Sequence, residues 1–112
     1  MAALGEAIAL GEKAGIPKEE LIEVLENGAG NSVVLKAKKE KLLGDDYSTH
    51  FSVKNLVKDL SYAYDLALAS KKAVRLNTTV RELYRAAFER DMEGLDFSVV
   101  YKLLKEALDV RV

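Results

Sequence analysis

The chain has no cysteine, no tryptophan and a single histidine among its 112 residues. Without cysteine it cannot form disulfides, a thiol nucleophile, or any zinc or iron–sulfur site with thiolate ligands. One histidine, His50, is too few for a histidine-rich metal site, so we predict no metal centre. No apolar run approaches the roughly 18 residues of a transmembrane helix, and no secretion signal is visible. We therefore expect a cytoplasmic protein.

A strong net charge is also lacking, because 17 basic and 18 acidic side chains leave −1 at pH 7. This balance provides no overall field that attracts nucleic acid or an anionic membrane, so we expect neither as a partner. The local exception is a group of four lysines, Lys36, Lys38, Lys39 and Lys41. Such a group is compatible with a nucleic-acid or localisation patch. Its spread around a predicted helix favours a solvated face instead.

A single proline and seven glycines separate stretches whose apolar residues have helical spacing. No alternating pattern typical of a strand is visible. The sequence therefore predicts an all-α fold, a compact bundle of five to six helices in a single domain over residues 1–112. The predicted helices cover about Ala2–Ala14, Pro17 to Gly28, the cap at Asn31 or Ser32 to about Leu43, Ser52–Ser70, Thr79–Asp91 behind a cap at Asn77 or Thr78, and Phe97 to about Leu108 behind a cap at Asp96.

The fourth predicted helix is apolar on two sides. One stripe, within an arc of about 100°, faces the core, whereas Tyr62 and Leu66 form an apolar pair on the far side. A helix of this kind is either central or packs its second face on another domain or subunit. Lys58 and Asp59 project between the two faces, where ordinary surface charge is the simplest interpretation. The stripe consists of Val53, Leu56, Val57, Leu60, Tyr64 and Ala67.

The residues alone form no complete catalytic constellation. Gly28 and Gly30 lack the third glycine of a dinucleotide fingerprint and lie between helices. No phosphate-binding P-loop sequence occurs. Residue chemistry therefore indicates a helical domain with a second docking surface. A free-standing interaction or dimerisation module without catalysis is one hypothesis at this point, and a small DNA-binding domain is disfavoured by the charge balance.

Five segments, in order, resemble the helical C-terminal domain of the β-hydroxyacid dehydrogenases. This family includes 3-hydroxyisobutyrate dehydrogenase and tartronate-semialdehyde reductase, and its domain is similar in fold to the C-terminal domain of 6-phosphogluconate dehydrogenase. Each segment is a weak signal, but together they cover essentially the whole chain. The segments are Gly5–Gly15, the glycine-rich loop Gly28–Ser32, Phe51 followed by Lys58-Asp59-Leu60 and Ala63, Thr79–Ala87, and Asp96-Phe97-Ser98.

The resemblance implies an NAD(P)-dependent oxidoreductase of small β-hydroxyacids or their semialdehydes. In that family a Rossmann domain carries the cofactor, and the helical domain closes the substrate cleft and forms subunit contacts. Carried over residue by residue, Lys58 corresponds to a cofactor-binding lysine. Phe51, Asp59 and Ser32 correspond to positions at the substrate cleft. The resemblance assigns no catalytic residue to this chain and leaves the choice between NAD and NADP open.

Two departures from the family qualify the expected function. The chain contains neither the family's catalytic lysine motif nor the GxGxxG fingerprint, so we expect a fragment that is inactive alone. Val33 stands where some members carry a bulky aromatic residue after the loop serine, which leaves the substrate open. We also expect apolar residues of the first helix, Leu4, Ile8 and Leu10, to be exposed with Tyr62 and Leu66. The chain should therefore form a homodimer.

Overall fold

The computed structural model describes residues 1–107, and within that range it contains six α-helices and no strand. This confirms the predicted all-α fold. Leu108, the predicted end of the last helix, lies outside the described residues. In the same range no helix is long and apolar enough to cross a membrane. The elements are α1 (Ala2–Lys13), α2 (Lys18–Glu26), α3 (Val33–Gly44), α4 (Val53–Ala69), α5 (Arg75–Arg85), 3₁₀ helices at Phe88–Arg90 and Phe97–Val99, and α6 (Val100–Ala107).

The chain divides into two compact units. The first comprises Met1–Tyr47 together with the chain from Ser98 onward, and the second comprises Ser48–Phe97. In the first unit, α1 packs against α6 and α2, and α2 packs against α3. Gly5 permits a close approach in this unit, because a Cβ atom there would lie 3.0 Å from the Tyr101 Cα atom. The core side chains of the first unit include Ile8, Ile22, Leu35, Leu42 and Tyr101.

A polar network in the first unit joins the end of α1 to α6. The Tyr101 hydroxyl donates to Glu12, and Lys105 Nζ lies 3.5 Å from Glu12 Oε2. Burial raises the pKa of Tyr101, and its hydrogen bond to Glu12 adds to this shift. A buried phenol that donates to a carboxylate is therefore held in its neutral form. The network ties α1 to α6 with directed bonds in addition to apolar packing.

A second set of polar contacts in this unit surrounds the end of α3. The Tyr47 hydroxyl donates to Asp45 Oδ1 at 3.0 Å, and Lys18 Nζ lies 3.4 Å from the same atom. Burial raises the pKa of Tyr47, and the bond to Asp45 raises it further. Burial alone would raise the pKa of Asp45 as well. The bonds from Tyr47 and Lys18 outweigh that effect, and the pKa of Asp45 is lowered.

Two surface predictions for this unit are wrong. Lys38 and Lys41, expected in a solvated face, are 5% and 7% exposed. A lysine can be buried in this way because its long aliphatic stem packs along apolar surface. Ile8, expected to be exposed with Leu4 and Leu10, is completely buried, whereas Leu10 is exposed. Ile8 belongs to the core-facing side of α1.

The second unit is built on the packing of α4 against α5. The Arg81 guanidinium lies 3.9 Å from the centroid of the Tyr64 ring, in the range of a cation–π interaction. Asn77 Nδ2 donates to the Leu60 carbonyl at 3.0 Å. These contacts attach α5 to α4.

The predicted bounds of α5 are wrong at both ends. The helix starts at Arg75 instead of Thr79 and ends at Arg85 instead of Asp91. Asn77, proposed as a cap, bonds to α4 instead, while the Thr78 hydroxyl donates back to the Val74 carbonyl at 3.0 Å. Both polar residues therefore lie inside the helix, against their local preference for its start. Asn77 is held there by a tertiary contact, and Thr78 by a local bond.

Candidate functional site

The candidate site lies at the start of α4. Ser52 caps this helix, with its hydroxyl accepting a hydrogen bond from the Asn55 N–H at 3.1 Å. Phe51 precedes the cap, and Lys58 and Asp59 follow within the first two turns. Phe51, Lys58 and Asp59 are all solvent-exposed. The structure therefore brings three of the four predicted site residues onto one stretch of the second unit.

The segment before α4 is paired with residues 93–97. The Val53 N–H donates to the Leu95 carbonyl and the Lys54 N–H to the Glu93 carbonyl, each at 2.9 Å. Ser52 and Asp96 form an isolated antiparallel bridge. These bonds join residues more than 35 positions apart in the sequence, so tertiary structure fixes where α4 begins.

Asp96 binds the backbone of the segment that contains Phe51. Its side chain is completely buried, and its Oδ1 atom accepts the N–H groups of His50 and Phe51, each at 3.1 Å. The Phe97 N–H donates to the Phe51 carbonyl at 2.9 Å. The Phe97 ring also meets the Phe51 ring edge to face, with centroids 6.2 Å apart and an interplanar angle of 86°. Phe51 remains 38% exposed, so a ligand can reach its ring.

Lys58 begins a row of side chains along the outer side of α4. Tyr62 and Leu66 follow it at intervals of four residues and are 63% and 68% exposed. Because residues four apart on a helix are neighbours, the ammonium group lies at one end of an apolar strip. This confirms that α4 has a second apolar face. Lys58 can donate hydrogen bonds to phosphate, hydroxyl or amide oxygens, which fits the chemistry of a dinucleotide.

Ser32 belongs to the first unit and is not grouped with the other three residues. Its hydroxyl caps α3 by accepting the Leu35 N–H at 3.0 Å, and its own N–H donates to Asn31 Oδ1 at 2.9 Å. Of the two predicted cap candidates, Asn31 and Ser32, the structure has Ser32 as the cap. Val33, next to it, is 84% exposed. The cap bond occupies one acceptor position of the hydroxyl and leaves its proton available as a donor.

The predicted residues lie on open surface, away from two cavities found in the described part of the chain. One cavity of about 680 Å³ in the first unit is lined by Glu12, Asp45, Tyr47, Tyr101 and others. Another of about 420 Å³ lies at the turn between α4 and α5. Neither is lined by Phe51, Lys58, Asp59 or Ser32.

Sequence reasoning missed the supporting role of Asp96 and Phe97. Asp96 was predicted as the cap of the last helix, and no local pattern indicates a bond to residues about 45 positions earlier. The one available signal was the Asp96-Phe97-Ser98 segment among those that carry the family resemblance. That signal marks the residues without revealing their partner.

Comparison with known families matches nearly all of the described residues. The family described as NAD-binding of NADP-dependent 3-hydroxyisobutyrate dehydrogenase matches residues 1–104. A solved structure of 3-hydroxyisobutyrate dehydrogenase from Salmonella typhimurium superposes with a TM-score of 0.86 at 31% sequence identity. The superposition covers 91% of this chain and 36% of that one.

Two curated relatives show the same extent of similarity. Glyoxylate/succinic semialdehyde reductase 2, chloroplastic, from Arabidopsis thaliana is 32% identical over 107 residues, which are 96% of this chain and 30% of the relative. L-threonate dehydrogenase from Escherichia coli K12 is 33% identical over 103 residues, 92% of this chain and 34% of the relative. The chain thus spans about a third of the length of the curated relatives it matches.

Proposed function

Because the chain belongs to the family described as NAD-binding of NADP-dependent 3-hydroxyisobutyrate dehydrogenase, we propose that it is the domain that closes the substrate cleft of an NAD(P)-dependent dehydrogenase. The substrate class is a small β-hydroxyacid or its semialdehyde, by analogy with the names of the relatives. The observation that carries this proposal is that Phe51, which is bound by Asp96 and Phe97, and Lys58 are both solvent-exposed at the start of α4. Exposed groups held in place suit a surface that closes over a ligand bound elsewhere.

Each predicted residue has a role within this proposal. The Lys58 ammonium binds polar groups of the cofactor, and the Phe51 ring excludes water from the reacting centre. Asp59 and Ser32 orient polar groups at the cleft. The cofactor, when bound, supplies the hydride acceptor or donor, and the protein supplies binding and orientation.

The general acid and base lies outside this chain in the proposal. Lys58 and Asp59 bind and position, and neither is assigned proton transfer. The chain alone is therefore expected to show no turnover with any β-hydroxyacid and NAD(P). Turnover by the purified 112-residue chain would contradict this assignment.

Substitution of Lys58 tests the proposal. A hydrogen bond from a charged donor contributes about 1.5–3 kcal/mol, so Lys58→Ala should weaken NADPH binding by the longer dehydrogenase that contains this domain by roughly 10- to 100-fold. Quenching or enhancement of NADPH fluorescence measures the dissociation constant. Lys36→Ala, at an exposed lysine of α3, is the matched control and should leave binding unchanged. Equal affinities for Lys58→Ala and the wild type would refute the cofactor role.

Self-association is the second part of the proposal. The exposed pair of Tyr62 and Leu66 supports a homodimer, because contiguous apolar surface of this kind is usually covered. Light scattering over a wide concentration range should detect the dimer, and Tyr62→Ser with Leu66→Ser should shift it toward monomer. Val24→Ser, at a residue of α2 that is 70% exposed, is the control. A strictly monomeric wild-type chain would contradict the proposal.

The same exposed pair favours the alternative of a free-standing interaction module without catalysis. The two functions differ in the size of the native product. Intact-mass analysis of the endogenous protein should show a polypeptide about three times longer if the dehydrogenase proposal is right. A native product of about this length would favour the interaction module.

A further inference from the structure

We propose that Asp96 is a positioning residue for the substrate cleft, acting through Phe51. The inference rests on the proposed role of Phe51 and adds a residue that has no contact with the ligand. Asp96 lies about 45 positions from Phe51 in the sequence and is completely buried. Its effect on a ligand must therefore pass through the backbone that it holds.

Both polar backbone groups of Phe51 are bound by two consecutive residues. The Phe51 N–H donates to Asp96 Oδ1 at 3.1 Å, and the Phe51 carbonyl accepts the Phe97 N–H at 2.9 Å. The Phe97 ring then supports the Phe51 ring edge to face. These contacts restrain the backbone of Phe51 and one side of its ring. The side chain therefore has little remaining conformational freedom.

A buried carboxylate is a costly way to hold a loop, which points to a need for this particular acceptor. An apolar residue at position 96 would leave the part-buried N–H groups of His50 and Phe51 without that acceptor. One carboxylate oxygen accepts both donors, and hydrogen bonds to an ionised acceptor are stronger than neutral ones. The carboxylate therefore fixes two successive peptide groups at one point.

The functional consequence is preorganisation of the cleft. A ring already in place before the substrate binds loses less conformational freedom on binding than a mobile one. Displacement of a positioning group by about 1 Å can cost up to roughly 100-fold in rate. Loss of Asp96 should therefore weaken substrate use even in molecules that remain folded.

A double-mutant cycle in the longer dehydrogenase tests the inference. Phe51→Ala should raise KM for the hydroxyacid roughly tenfold, and Asp96→Ala should raise it by a similar factor. If Asp96 acts through Phe51, adding Asp96→Ala to Phe51→Ala should change KM by less than about twofold further. Multiplication of the two single effects would overturn the inference.

A second variant separates positioning from stability. Asp96→Asn keeps an acceptor oxygen for the two N–H groups and should hold KM within about threefold of the wild type, because the restraint on Phe51 survives. A merely structural role would lower the melting temperature and the active fraction of Asp96→Ala while leaving the KM of the surviving enzyme unchanged. That result would overturn the inference. Asp65→Ala, at an exposed aspartate of α4, controls for loss of charge.

The 112-residue chain provides a readout that does not depend on turnover. In ¹H–¹⁵N spectra and hydrogen exchange, Asp96→Ala should move the His50 and Phe51 amides and remove their protection, and Asp96→Asn should restore both. Unchanged amides in Asp96→Ala would overturn the inference. A Phe51→Ala enzyme with unchanged KM would instead refute the proposed role of Phe51, so the two failures are distinguishable.

Discussion

Two helices of this protein begin with the same serine cap but are held in different ways. The Ser32 hydroxyl caps α3 and the Ser52 hydroxyl caps α4, with N–H···O distances of 3.0 and 3.1 Å. Around Ser32 the described hydrogen bonds are local, since the Ser32 N–H donates to Asn31 Oδ1 and the Asn31 N–H donates to the Gly28 carbonyl. Around Ser52 the partners come from residues 93–97. A cap can start a helix with local bonds alone, whereas the approach to α4 depends on the tertiary fold.

Among substitutions that test this difference, Asp96→Ala should have the largest effect, because it removes long-range bonds to the segment before α4. Two part-buried N–H groups lose their acceptor, at about 1–3 kcal/mol each, so the second unit should lose roughly 3 kcal/mol of unfolding free energy. Urea denaturation followed by circular dichroism measures the change. Asp65→Ala should stay within about 0.5 kcal/mol of the wild type. A loss below about 1 kcal/mol for Asp96→Ala would mean that water satisfies these amides.

A smaller effect is expected in the first unit, where α1 and α6 make a long-range contact. This contact is separate from the turn at Ser32, which is held by local bonds. A Cβ atom at Gly5 would meet the Tyr101 backbone at 3.0 and 3.2 Å. Gly5→Ala should therefore separate α1 from α6 and destabilise the unit by about 1–3 kcal/mol, measured as a fall in denaturation midpoint. At Gly44 a Cβ atom would meet nothing within 4 Å. Gly44→Ala is the control, and a cost equal to that of Gly5→Ala would contradict the steric explanation.

The two caps themselves should differ little. Ser32→Ala and Ser52→Ala each remove one cap bond, which contributes about 1 kcal/mol. Because Asp96 continues to hold the segment before α4, Ser52→Ala should cost no more than Ser32→Ala within about 0.5 kcal/mol. Chemical denaturation of both variants provides the comparison. A loss for Ser52→Ala as large as that of Asp96→Ala would show that the cap and the long-range contacts form one cooperative unit.

The smallest effect at neutral pH is expected for Tyr84→Phe in the second unit. The Tyr84 hydroxyl is buried and has no hydrogen-bond partner among the described residues, so its removal should change stability by less than about 1 kcal/mol, in favour of the variant. Burial, with the nearby Asp96 carboxylate, raises the pKa of Tyr84 above 10.0. The stability that this pKa shift contributes is fully present below about pH 10. It is lost as the pH rises through the pKa of Tyr84 in the folded state.

Denaturation between pH 9 and 12, a range set by the ordinary tyrosine pKa of about 10, checks that sign. The wild type should lose stability as pH rises, and Tyr84→Phe should lose less, because this phenol no longer releases a proton on unfolding. Because the pKa values of Tyr47 and Tyr101 are also raised, the first unit should lose stability at alkaline pH in both the wild type and Tyr84→Phe. A steeper loss in the variant would contradict the assignment.

The predictable part of the fold came from local chemistry. A cap at Asn31 or Ser32 was predicted for α3 and a start at Ser52 for α4, and the structure has Ser32 and Ser52 as caps. The first helix was predicted to cover about Ala2–Ala14, and α1 covers Ala2–Lys13. Helical spacing also identified the exposed second face at Tyr62 and Leu66. Each of these features depends on a few neighbouring residues, and this is why the sequence reveals it.

The unpredicted part involved partners distant in the sequence. Asn77 has a side chain that favours a helix cap, but its amide group donates to the Leu60 carbonyl of α4. Helix α5 begins two residues before Asn77, at Arg75. Lys38 and Lys41 carry charged groups that favour water, yet both residues are buried in the folded chain. In each case the tertiary structure overrides a local preference of the residue.

By itself, the amino-acid sequence determined the helical class, most of the helix starts, the two-faced character of α4, and the family resemblance that singles out Phe51 and Lys58. These features follow from short-range spacing, capping chemistry and the order of motifs. Only the tertiary structure decided that Asp96 and Phe97 hold Phe51, because the energy of those contacts exists only once residues about 45 positions apart meet. The residues proposed to contact the ligand were thus visible in the sequence, and the residues that position them were not.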